Sequence, residues 1–143
     1  MAVSWTLPAR ELVDRLGVGM DAVWSLLFAA QSGVLRLALV DPLDADLSLT
    51  EAGMDIADAL GELEWVRPEL VTYSIAVDLG PARLDDVIAC RTSITGLLAA
   101  ALEVTAGLLG GQGEELDTPD VLALGRVAHQ VGSASTRVAG RAA

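Results

Sequence analysis

Residues Leu12 to Gly53, LVDRLGVGMDAVWSLLFAAQSGVLRLALVDPLDADLSLTEAG, decide how the N-terminal half of this chain is read. Gly17-Val18-Gly19 separates two helical patterns. Before it, Pro8 stands near the first turn of a short helix that ends at Leu16, with Leu12, Val13 and Leu16 on one face. After it, Met20 to Ser32 reads as a second helix, and Val23, Trp24, Leu26, Leu27 and Phe28 give it a broad apolar surface. Gly33 suits the C′ position that ends such a helix, where φ > 0 is common. VLRLALVD (34–41), with β-branched residues at its ends, predicts a strand. DPLDAD (41–46) predicts a turn, and LSLT (47–50) a returning strand. Thr50 then caps a helix from Glu51 to about Trp65, in which Ile56, Ala59, Leu60 and Leu63 recur at helical spacing.

The second half reads as helical throughout. Pro68 opens a helix to about Leu79, and Gly80-Pro81 interrupts it. A long helix runs from Ala82 to Leu109, with Asp85 and Asp86 in a first turn whose dipole suits negative charge. GGQGEELDTPD (110–120) is a loop, and Asp117 or Thr118 caps a last helix from Pro119 to about Arg137. The two long helices predict an antiparallel hairpin.

Composition narrows the function classes. The chain has 143 residues, 52% hydrophobic and only 3% aromatic, so small aliphatic side chains fill the core. All nine basic residues are arginine, against 20 carboxylates, and the formal charge is −11. Such a charge repels nucleic acid and anionic membrane at long range and is compatible with a basic protein partner. Cys90, the single cysteine, reads as a small core residue. The longest apolar run, Ile94 to Leu109, is interrupted by Glu103 and falls short of the roughly 20 residues a bilayer span needs. With no signal-peptide pattern at the start, a cytoplasmic location is expected.

The succession helix, turn, helix, Gly, hairpin, helix resembles the winged helix-turn-helix core of MarR-like regulators. Leu12, Leu16, Gly17 and Val18 match the family's first helix, and Gly33, Val34 and Leu35 the end of its second. Asp41, Pro42 and Asp44 match its wing, and Leu49, Thr50 and Gly53 the exit. The resemblance implies a mainly α fold: a winged-helix-like domain of three helices and a two-stranded wing over residues 1–66. A helical oligomerisation or interaction region would follow over 67–143. It also implies DNA contacts, for which Arg10, Arg15 and Arg36 are the candidates, joined by Arg137 and Arg141 from two subunits.

The charges point away from that inherited role. From Arg10 to Gly53 three arginines face seven carboxylates, and between Gly19 and Ser32 the only charged residue is Asp21. A recognition helix needs cationic or amide side chains for phosphates and base edges. Trp24, Phe28 and Leu27, with Gln31, are therefore either core residues or an apolar face that docks a protein.

The long helices carry the second candidate surface. Gly96, Ala100 and Gly107 on one, and Gly125 on the other, allow close helix approach, so these positions with Glu103 and His129 are candidates for self-association as a homodimer. Glu103 needs a partner in that apolar setting, and Arg91, Arg126 and His129 are available. No catalytic constellation, cofactor motif or metal-ligand spacing is evident, and GLLGGQG (107–113) follows a helix rather than the strand a phosphate loop requires. The expected function is a non-enzymatic interaction or adaptor protein. The alternatives are a DNA-binding regulator and a ligand-binding bundle centred on Glu103.

Overall fold

The computed structural model describes residues 5–41, 47–73, 79, 82 and 87–139. Its helices are α1 (Thr6–Arg15), α2 (Met20–Val40), α3 (Ser48–Val66), α4 (Leu70–Tyr73), α5 (Val87–Leu109) and α6 (Thr118–Ala139). There is no strand among the described residues, so the two-stranded wing and with it the MarR-like fold are not supported. Of the residues expected to form the first strand, Val34 to Val40 are the last two turns of α2, and of LSLT, Ser48, Leu49 and Thr50 open α3. The wing tip, 42–46, lies outside the described residues, as do Gly80, Pro81 and 83–86 around the expected start of the long helix. Of the helix predicted from Pro68 to about Leu79, only α4 is helical among the described residues: Pro68 and Glu69 form a turn before it, Leu79 is not helical, and 74–78 lie outside the described residues.

The physical reason for the correction is the period of burial. Leu26, Leu27, Ala30, Gly33, Val34 and Leu37 are all buried, a three-to-four-residue repeat that runs through Gly33 without a break. Gly33 does not cap a helix. A Cβ there would meet Trp5 at 3.1 Å, Ile94 at 3.2 Å and Leu79 at 3.3 Å. Its small size lets Trp5 and α5 approach the α2 backbone. Thr50 is likewise not the cap of α3. It lies exposed in the first turn, and Leu47 precedes the helix in the left-handed region, φ 62°.

Helices α2, α3, α6 and α5 pack as a ring in that order, with α1 against α5 and α4 against α2 and α3. Contacts at the two ends fix the directions. Met20 and Arg67 meet the loop before α6 at one end. Asp41, Arg91 and Val138 meet at the other. Each helix is therefore antiparallel to both its neighbours in the ring, while α3 and α5 lie diagonally and point the same way. The end of α3 and the start of α5 therefore lie at opposite ends of the bundle, about the 28 Å length of α3 apart at 1.5 Å per residue. This is the connectivity of a four-helix bundle with one long crossover. A single apolar core draws on all six helices: Leu12, Leu27, Leu37, Ile56, Leu63, Leu70, Leu98 and Val131 belong to it.

Arginines close both ends. At the lower end Arg67 Nη2 donates to Asp120 Oδ2 at 2.8 Å and Nη1 to Glu114 Oε2 at 3.3 Å. Glu114 Oε1 accepts the Met20 backbone N–H at 2.9 Å. A carboxylate 94 residues away thus caps the positive end of α2. Asp117 and Asp120 form a reciprocal cap on α6: the Asp120 N–H donates to Asp117 Oδ1 at 2.9 Å and the Asp117 N–H to Asp120 Oδ2 at 3.3 Å. Burial alone would push the Asp120 carboxyl up. The hydrogen bonds from Arg67 and from the Asp117 backbone outweigh it and hold it below the usual aspartate range. The Arg67 guanidinium is held more firmly charged, first by its hydrogen bond to Asp120. At the upper end Arg91 donates to Asp41 Oδ2 at 2.9 Å and to the Val138 carbonyl at 2.7 Å. Arg137 pairs with Glu51 and, at 3.1 Å, with Asp55, which also accepts from Ser133.

Candidate interaction surface

The outer face of α5 is an apolar surface that the fold leaves largely open. Both α2 and α5 are long and apolar enough to cross a membrane by length and composition alone. Over their most apolar stretches α2 is 56% buried and α5 only 33%. The inward face of α5 carries Cys90, Ile94, Leu97, Leu98, Ala101, Thr105 and Leu108. At 100° per residue, Thr92, Gly96, Ala99, Ala100, Glu103 and Gly107 fall on a second stripe. Of these, Ala100 and Gly107 are half-buried and the rest exposed. Nothing lies within 4 Å of where a Gly96 Cβ would be.

Beside this stripe runs an open groove of about 280 Å³, lined by Thr6, Ala9, Arg10 and Val13 of α1 and Thr92, Ser93, Gly96 and Leu97 of α5. Of its lining residues Ser93 is 7% exposed, and its Oγ, like the indole N–H groups of Trp5 and Trp24, is buried with no hydrogen-bond partner among the described residues. A buried hydroxyl left unpaired costs about 1–3 kcal/mol.

The other sequence candidates fall elsewhere. Trp24 and Leu27 are buried, and Phe28 and Gln31 half-buried. Trp24 stacks on Phe28 with ring centroids 5.0 Å apart and planes 11° apart. This cluster is core, because α3 and α5 flank α2 on two sides. Glu103 points to solvent, away from the expected partners: Arg91 is engaged with Asp41, Arg126 with Glu62, and His129 is itself exposed. Gly125 and His129 share an exposed face of α6, a different helix from the Gly96 stripe. The DNA-contact candidates are divided: Arg10 and Arg15 are exposed on α1, and Arg36 is half-buried on α2.

Trp65 is not a candidate from the sequence, where it marks only the approximate end of a helix. It is 87% exposed at the end of α3. It borders a groove lined by Ala57, Asp58, Gly61, Glu62 and Arg126. The missed signal was spacing: Leu63 takes the inward position, and Trp65, two residues on, must face outward. Comparison with known protein families, with characterised proteins and with solved structures finds no match to this chain.

Proposed function

We propose that this chain is a non-enzymatic, self-associating interaction protein whose docking surface is the outer face of α5. The observation that carries this reading is the mismatch between the composition of α5 and its burial. A helix apolar enough to span a bilayer has only a third of that stretch covered. Apolar surface in contiguous stripes on a soluble domain favours a partner. The open stripe is built from Gly96, Ala99, Ala100 and Gly107, which suits close approach of another helix better than contact with lipid, and Glu103 sits in its middle.

A cytoplasmic location and a basic protein as second partner belong to the same reading. The formal charge of −11 supports the latter, as do Asp58 and Glu62 beside exposed Trp65. Light scattering across a concentration series tests the core of it. The expected result is a mass that rises above the 14.8 kDa of one chain. A constant single-chain mass up to about 1 mM, the weak end of the affinity scale, contradicts it.

A further inference from the structure

We infer that two copies of α5 pair antiparallel about a two-fold axis near Ala99–Ala100, each Glu103 carboxylate seating over the partner's Gly96 beside its Arg10. The inference rests on the self-association reading above and specifies its geometry.

Charge selects the direction. A parallel two-fold pairing of α5 would set one Glu103 against the other, two like charges in a largely apolar contact. An antiparallel pairing centred on Ala99–Ala100 carries Glu103 over position 96 of the other copy. Gly96 has no side chain and open space above it, so a carboxylate has room there. Arg10 and Ser93 line the groove at that point. Neither Arg10 nor Glu103 takes part in an ion pair among the described residues. A carboxylate arriving from a second copy accepts from the Arg10 guanidinium, and both charges are thereby paired.

The test uses the full chain and two charge reversals, Arg10→Glu and Glu103→Arg, at positions exposed in the single subunit. Helix content by circular dichroism is expected to stay at the wild-type value in both. Sedimentation equilibrium is run on wild type, on each variant alone and on an equimolar mixture. Each variant alone faces two like-charge contacts, and its dimerisation is expected to weaken by at least about tenfold. The mixture forms two complementary contacts per heterodimer and is expected to recover dimer. Dimers of wild-type strength in both single variants, or no recovery on mixing, overturn this geometry while leaving self-association standing. A wild type that stays monomeric overturns both readings.

Discussion

Arg67 Nη2 and Asp120 Oδ2 stand 2.8 Å apart across the lower end of the bundle, 53 residues apart in sequence. The Asp120 side chain is almost fully buried, while a quarter of the Arg67 side chain remains exposed. This pair joins the end of α3 to the start of α6, and Glu114 extends it to the start of α2. The lower end of the fold therefore depends on charge as well as on apolar burial.

That dependence fixes a pH signature. Asp120 has a lowered folded value, so its contribution is complete above the ordinary aspartate range near 4 and is lost as acid passes through the folded value. Arg67, whose value is raised, loses nothing in acid. Asp120→Asn is expected to cost about 2–3 kcal/mol at neutral pH, the scale of a hydrogen bond to a charged group. Urea unfolding of wild type and variant from pH 7 to pH 3 checks this. The gap between them should narrow below pH 4, and a gap of constant size contradicts the pairing.

Gly33 separates the helical bundle from the winged reading. Trp5, Ile94 and Leu79 crowd the space above it. Gly33→Leu is expected to cost at least about 1–3 kcal/mol through overpacking. Gly132, also within a helix, has nothing within 4 Å, so Gly132→Ala is expected to add about 0.5–1 kcal/mol. Thermal or urea unfolding of the two variants measures both. Equal tolerance at both positions would argue against continuous α2 packing.

The tryptophans predict a fluorescence split. Trp5 and Trp24 are buried and Trp65 is exposed. Trp65→Ala is expected to remove the iodide-quenchable, red-shifted emission and to change stability by no more than about 0.5 kcal/mol. Trp24→Ala is expected to cost about 3–5 kcal/mol, as for a buried aromatic. Quenchable emission that survives Trp65→Ala would contradict the placement.

The helical character of the chain, the α5–α6 hairpin and the Asp117 cap were legible because each rests on local spacing. The residues after Gly33 mislead for a local reason too. In VLRLALV a two-residue and a three-to-four-residue period both fit, and only the position of α5 and Trp5 decides between them. The same holds for Trp24 and Leu27: an apolar helix looks like a free surface until the helices on either side of it are known. Arg67, Glu114 and Asp120 were illegible because their meeting depends on the long crossover. On the candidate surface, Gly96, Ala100 and Gly107 stand out in the sequence as small residues on one long helix with Glu103 among them, but that they share an outward stripe is visible only once the inward face of α5 is known. The place of Arg10 beside Gly96 needed the packing of α1 on α5.

The α5 face is tested most directly by sedimentation of Ala99→Glu beside Gly125→Glu, each an exposed helix position, one on α5 and one on α6. A wild type of twice 14.8 kDa, a single-chain mass for Ala99→Glu and an unaltered dimer for Gly125→Glu is the expected set. A wild type that never exceeds one chain's mass, or an Ala99→Glu chain that still pairs as wild type does, contradicts it.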